Sequence, residues 1–314
     1  MGTMSLRYAF LGPTGTFTEA ALRSVVAPED VAVPQTDVPT ALAAVRSGEV
    51  DRAVVPIENS VEGGVSATLD ALASGEPLVI VGESLVRIEF VLAVAPGTRL
   101  ADVRGVSTHP HAWAQTRKWV AAHLPGAVHV PATSTAAAAA LLAEPGEHGF
   151  EAAAVAPHTA EQYGLTVLAA GIEDNKNAVT RFVVVGRPGP VPDRTGQDKT
   201  TLMIHLPDNE AGALLTMLEQ FAVRGVNLSR IESRPIGDSL GRYGFSIDVE
   251  GHIDDERVAA ALVGLHRVCP MVRFLGSYPR VDGPGSPVRR GFTDDDFQQG
   301  RDWVADLRRG VHPA

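Results

Sequence analysis

Tyr8-Ala9-Phe10-Leu11-Gly12-Pro13-Thr14-Gly15-Thr16-Phe17 reads as a strand, a turn and the first residue of a helix. Tyr8 to Leu11 are apolar, Gly12-Pro13-Thr14-Gly15 supply the turn, and Thr16 is placed to cap a helix holding Glu19, Ala20, Ala21 and Leu22. The same rhythm continues outward. Val31-Ala32-Val33 is a short strand, a helix runs from about Val38 to Val45 and ends near Gly48, Asp51 to Ile57 is a buried strand, and another helix begins near Ser66. A βαβαβ succession of this kind implies a mostly parallel sheet covered by helices.

A second lobe is expected from about Leu78. Leu85 to Val94 reads as one long strand crossing between lobes, and a helix from Pro110 to His123 carries Trp113 and Trp119. Thr133-Ser134-Thr135 opens the helix-forming run Ala136 to Leu142. Ala152 to Val155 is a strand, and the chain returns to the first lobe through Val179 to Val185. The expected division is residues 1–187 for the two-lobed domain (about 1–77 with 179–187, and about 78–178), with a ligand cleft between the lobes. A Gly- and Pro-rich linker follows over 188–198. Thr200 to Leu206, Ala211 to Val223, Val226 to Ile236, Arg242 to Glu250, a helix capped by Asp254 and Met271 to Leu275 give the order βαββαβ, with a turn at Gly237 to Gly241. That order is ferredoxin-like, an α+β unit over 199–279. In the tail, 280–314, Phe297, Trp303 and Leu307 fit either a short docking helix or a frayed end.

The chain has 314 residues, 45% hydrophobic and 20% charged, as a water-soluble globular protein does, and a net charge of −10. That balance argues against nucleic acid and anionic membranes, since both need clustered Lys and Arg. It leaves room for an anionic small ligand held by a few local groups. Cys269 is the one cysteine, so no internal disulfide forms. The N-terminus lacks the basic-then-apolar pattern of a secretory signal, and no run of about 18 apolar residues marks a membrane span; a cytoplasmic protein is expected.

Polar groups crowd at strand ends. Pro56-Ile57-Glu58-Asn59-Ser60-Val61-Glu62-Gly63-Gly64 follows a buried strand, and α/β folds bind ligands beyond strand carboxyl ends. Asn177-Ala178-Val179-Thr180-Arg181-Phe182 sets a hydroxyl and a guanidinium ahead of Val183 to Val185. The loop Gly12 to Thr16 lacks the Lys of a phosphate loop and the third Gly of a dinucleotide fingerprint, so nucleotide binding is rejected. Backbone N–H groups at that helix start, and at Thr133-Ser134-Thr135, still suit a carboxylate. His109-Pro110-His111 has no third ligand at metal spacing, and His109 is kept as a contact for an anionic substrate.

Gly12 to Phe17, Pro56 to Ser60, Ser107 to Ala112, Ser134 to Ala137, Gly171-Ile172-Glu173-Asp174 and Thr180-Arg181-Phe182, in that order, resemble the signature set of prephenate dehydratases. Thr18 and His111 depart from the usual Ser and Gln. The resemblance implies a bilobed α/β catalytic domain, periplasmic-binding-protein-like, that converts prephenate to phenylpyruvate, water and carbon dioxide on the way to L-phenylalanine. It implies that Thr180 assists the departing hydroxyl, and that Asn59, Ser60, Thr16, Ser134, Thr135 and His109 contact substrate. Arg181 suits bidentate carboxylate binding, or else faces away, because neighbouring strand residues point to opposite sides. The product ring is aromatic, so the substrate is its own electron sink and no cofactor is expected. No helical segment of chorismate-mutase length precedes Arg7, so a monofunctional enzyme is expected.

The last unit resembles an ACT domain through Gly212-Ala213-Leu214 and Glu232-Ser233-Arg234-Pro235. The resemblance implies phenylalanine as allosteric effector, bound by Gly212, Ala213, Leu214, Asn227, Glu232, Ser233, Arg234 and Pro235. ACT units pair edge to edge, which implies a homodimer or homotetramer. Two rivals stay open on sequence: arogenate dehydratase, whose substrate differs by a side-chain amino group, and a non-catalytic amino-acid sensor or solute-binding protein.

Overall fold

The computed structural model describes residues 5–61, 63–207, 210–235 and 243–311. Glu62 and the turn expected at Gly237 to Gly241 lie outside the described residues. The chain divides into two compact units, residues 1–71 with 84–185, and residues 72–83 with 186–314.

The first unit opens with β1 (Arg7–Leu11), α1 (Phe17–Arg23), β2 (Val31–Gln35), α2 (Val38–Ser47), β3 (Arg52–Asn59), the short β4 (Gly63–Gly64) and α3 (Ser66–Ala73). Local chemistry sets these boundaries. Thr16 caps α1 by accepting from the Glu19 N–H, and Asp37 caps α2 by accepting from the Thr40 N–H at 2.8 Å. β5 (Val79–Arg87), of which residues 79–83 belong to the second unit, and β6 (Val91–Val94) follow, then β7 (Gly105–Thr108), α4 (Pro110–His123), β8 (Val128–Pro131), α5 (Thr135–Ala143), β9 (Ala152–Val155), α6 (Pro157–Gln162), β10 (Thr166–Ala170) and β11 (Val179–Gly186).

Two sheets result. The first has the order β2-β1-β3-β11-β5, with β4 added to β3, and β1 runs parallel to both β2 and β3. The second has the order β10-β6-β9-β7-β8, parallel across β7–β8 and β7–β9 and antiparallel across β6–β9 and β10–β6. The two-lobed α/β reading holds. The single strand expected over Leu85 to Val94 is instead two strands, one in each sheet. Between them the Ile88 N–H donates to the Ala178 carbonyl at 2.8 Å and the Phe90 N–H to the Glu173 carboxylate at 2.8 Å. These bonds satisfy backbone groups that have left the first sheet and not yet joined the second.

The second unit contains β12 (Asp198–His205), α7 (Ala213–Ala222), β13 (Leu228–Pro235), β14 (Tyr243–Glu250), α8 (Glu256–Val268), β15 (Met271–Pro279) and α9 (Asp294–Arg308). Its sheet order, β13-β14-β12-β15, is antiparallel throughout, and Leu202, Ile204, Met217, Phe221, Ile247, Val249 and Leu265 fill the core beneath the helices. This is the ferredoxin-like order. The cap of α8 is Asp255 rather than Asp254, and it forms no side-chain cap bond. One Asp255 carboxylate oxygen lies 2.6 Å from Arg194 Nε instead. In the tail α9 forms, opened by a Thr293–Asp296 capping box, and Arg301 grips Glu256 of α8 with two contacts of 2.6 Å. Trp303, named as a docking residue, is 52% exposed, so the ion pair attaches this helix more than the indole does.

Gly276 in β15 has φ +128°, and a Cβ there would sit 2.1 Å from the Ile80 carbonyl oxygen. Backbone meets backbone at that point, and neither side can yield like a flexible side chain. Gly276→Ala is expected to destabilise the second unit by about 2–4 kcal/mol, combining overpacking with a strained φ. Urea unfolding checks this; an unchanged midpoint would mean the contact relaxes at no cost.

Candidate active site

A cavity of about 320 Å³ opens in the first unit, within the range of small-molecule sites (roughly 300–1,000 Å³). One side is built from the carboxyl ends of β1 and β3 and the amino end of β11, with Asn59 at the end of β3, Thr180 second in β11, and Thr16 and Phe17 where β1 turns into α1. The other side is built from the starts of α4 and α5, namely His109, His111, Ala112 and Gln115, and Thr133, Ser134 and Thr135. Ile88 and Phe90, in the break between β5 and β6, line it as well.

Thr180 is nearly buried, at 7% exposure, and Asn59 Nδ2 donates to its Oγ1 at 2.8 Å. The Asn59 amide is held the right way round, since its Oδ1 accepts from the Val61 N–H at 2.8 Å, so its nitrogen faces the threonine. Thr180 therefore has its oxygen engaged as an acceptor, and its own O–H is turned elsewhere. Donation onto that oxygen polarises the hydroxyl and makes it a better donor in turn. Ser60 lies outside the cavity lining and staples strands: its N–H donates to the Val179 carbonyl, and its Oγ accepts from the Val179 N–H, both at 2.9 Å.

Arg181 is also outside the lining. It is buried, and its guanidinium lies 3.6 Å from the Glu58 carboxylate. The strand pleat explains this: Asn59 meets Thr180 on one face of the β3–β11 pair and Glu58 meets Arg181 on the other. Thr16 lines the cavity, but its hydroxyl donates to the Leu11 carbonyl at 2.8 Å and caps α1. Ser134 caps α5 by accepting from the Ala137 N–H at 2.9 Å, and Thr135 beside it is 8% exposed. His109 Nδ1 accepts from the His111 N–H at 3.2 Å, which fixes the start of α4.

No Lys or Arg stands among the described residues that line the cavity. Partial positive charge at the wall comes instead from the starts of α4 and α5, neither of which has an acidic residue in its first turn, whereas the Glu19 carboxylate occupies the first turn of α1 and accepts from the Gly15 N–H. The Gly171 to Asp174 motif works one layer back. Glu173 receives the Phe90 N–H, and Asp174 accepts from the Lys118 and Trp119 N–H groups at 3.2 Å each. Gln115 was not singled out from the sequence. Its signal was the spacing from His111, four residues on and on the same helix face.

In the second unit, Gly212 starts α7 with φ 92°, and Glu232 to Pro235 end β13, an edge strand. His205 pairs with Gly244, which pairs with Arg234, so both segments lie at one end of the sheet. Asn227 precedes the other end of β13. Its side chain donates to Ser286 Oγ at 3.3 Å and its carbonyl accepts from the Glu250 N–H at 2.9 Å.

The family profile described as prephenate dehydratase matches residues 8–190, and that described as ACT domain matches residues 200–267. The chain belongs to the prephenate dehydratase family. A prephenate dehydratase of Amycolatopsis methanolica is 46% identical over 305 residues, 97% of this chain and 98% of that protein. Among solved structures, the prephenate dehydratase of Arthrobacter aurescens in complex with L-Phe is 55% identical, with a TM-score of 0.91, covering 97% of this chain and 100% of that one. GqqA, described as a novel type of quorum quenching acylase, is 33% identical with a TM-score of 0.76, covering 90% of this chain and 100% of that one. One fold thus serves more than one described activity, so the reaction of a prephenate dehydratase family member is argued from its site.

Proposed function

We propose that this chain converts prephenate to phenylpyruvate, carbon dioxide and water in the cavity around Thr180, and that phenylalanine binding to the second unit regulates it. The Asn59–Thr180 hydrogen bond supports the catalytic reading most directly. Prephenate carries a ring carboxylate and a pyruvyl group on one ring carbon and a hydroxyl on the carbon opposite. The bond to the ring carboxylate breaks, its electron pair moves through the diene, and the carbon–oxygen bond opposite breaks. The departing hydroxide takes up a proton and leaves as water. A hydroxyl that donates toward that oxygen lowers the barrier to departure, and Thr180, its oxygen already bonded by Asn59, is oriented to donate. The helix starts across the cavity suit the carboxylates, and Ile88 and Phe90 offer apolar surface to the ring.

The assay is phenylpyruvate formation from prephenate by purified protein with nothing else added, with and without phenylalanine. Turnover that phenylalanine alters supports both parts. A protein that binds prephenate without consuming it would instead be a sensor of the periplasmic-binding type.

For the effector, Gly212 to Leu214 and Glu232 to Pro235 lie at one sheet end, Leu214 and Leu215 are exposed at the start of α7 and Ile231 midway along β13, and β13 has an unpaired edge within the sheet. An exposed apolar edge of this kind fits pairing with a second copy, as a homodimer or homotetramer, with the amino acid held at the junction. Arg234→Ala is expected to raise the phenylalanine concentration for half-maximal effect by about tenfold, the loss of one charge-assisted hydrogen bond. A dose–response curve superimposable on the wild type would remove Arg234 from the effector site.

A further inference from the structure

We propose that Gln115 reads the side chain of the substrate, distinguishing an oxo acid from the corresponding amino acid. This rests on the assignment of the cavity to prephenate. Gln115 sits in the second turn of α4, lines the cavity and is 8% exposed. Its backbone carbonyl accepts from the Asp174 N–H at 2.6 Å, which fixes where the side chain starts. Its side-chain oxygen is buried and has no hydrogen-bond partner among the described residues. Buried amides are almost always paired, so an orphan amide oxygen on a cavity wall points either to a donor that arrives with the ligand or to an amide that turns over and presents its N–H groups to a ligand oxygen.

The position narrows that part of the ligand to the two groups on the ring carbon opposite the hydroxyl, the ring carboxylate and the three-carbon side chain, and of these we assign the side chain to Gln115. Thr180 and Asn59 belong to the first sheet, and Gln115 to the opposite wall with Ser134 and Thr135. The ring hydroxyl of prephenate lies across the ring from the carbon that bears the three-carbon side chain. With the hydroxyl at Thr180, the side chain lies toward α4 and α5. A primary amide is neutral and can donate N–H to an oxo oxygen or, turned over, accept from an ammonium. Prephenate and arogenate differ only at the side-chain carbon next to the carboxylate, which is C=O in one and bears an ammonium group in the other. A neutral amide adds no repulsion to a dianion, whereas a carboxylate at the same place repels it and attracts an ammonium.

The test is kcat/KM on prephenate and on arogenate for the wild type, Gln115→Met and Gln115→Glu. Gln115→Met keeps the volume and removes both hydrogen-bonding functions; a loss of about tenfold on prephenate, expressed in KM, is expected. Gln115→Glu is expected to move the prephenate-to-arogenate ratio at least about tenfold toward arogenate. A ratio within twofold of the wild type in Gln115→Glu overturns the proposal, as does an equal loss on both substrates in both variants, which marks a structural role. A wild type inactive on both substrates overturns the underlying assignment along with it, and so is told apart from failure of the Gln115 reading alone.

Discussion

Thr180→Val is expected to lower kcat on prephenate by about a hundredfold to ten-thousandfold, the range of a positioned proton donor, with little change in KM. Valine has the shape of threonine and an equal liking for strands, so β11 keeps its register. The structural cost is that Asn59 Nδ2 loses its acceptor, about 1–3 kcal/mol for a nearly buried donor. The variant therefore stays folded at room temperature, and loss of turnover is separable from loss of structure. Steady-state rates with a melting curve decide it. A variant that turns over prephenate at the wild-type rate would sink the assignment of Thr180. Asn59→Ala tests the same link from the other side. If Asn59 acts by orienting Thr180, this variant loses less than Thr180→Val, and combining the two loses little more than Thr180→Val alone.

Much of this site was legible in sequence because strands repeat every two residues. Thr180 and Arg181 are neighbours in β11, so they were bound to face apart, and one of them had to leave the cavity. Which one left depended on pairing with β3, where Asn59 and Glu58 make the same alternation. Pairing across 121 residues leaves no local mark in sequence. Capping residues were legible for the opposite reason, since a Thr or Ser cap is decided within four residues, as at Thr16 and Ser134. The break at Ile88 to Phe90 was hidden because Leu85 to Val94 is continuously apolar except for Arg87 and Glu89, and its interruption comes from bonds to Ala178 and Glu173 far along the chain. Gln115 was hidden because a lone Gln on a helix is ordinarily a solvated residue. Only its burial, with an orphan oxygen, sets it apart.

The same long-range blindness applies to Lys199, which stood at a strand start beside a polar linker and gave no reason to expect burial. In the structure it is 2% exposed, and its Nζ lies 3.1 Å from both carboxylate oxygens of Glu83 and 3.1 Å from Asp282. The Glu83 side chain is fully buried and also accepts from the Val281 N–H at 3.0 Å, whereas Asp282 is partly solvated. Burial pushes the Asp282 carboxyl up, but its bonds to Arg280 and Lys199 outweigh this and hold it below the usual carboxylate range. Lys199→Met removes the ammonium that bonds both oxygens of the Glu83 carboxylate and leaves that carboxylate in the interior without its charge partner. The expected loss is about 3–5 kcal/mol in the second unit, because breaking a buried pair costs far more than the intact pair contributes. Glu83→Leu combined with Lys199→Met recovers most of that loss, since an apolar pair of similar volume needs no desolvation. Hydrogen exchange across residues 79–87 and 198–205 is the measurement, because it reads opening of these strands separately from the rest of the chain. Faster exchange in the single variant, with protection restored in the double variant, is the expected pattern. Equal protection in the wild type and the single variant would mean that Glu83 finds another partner or takes up a proton, and that the buried pair adds nothing to the hold on residues 72–83.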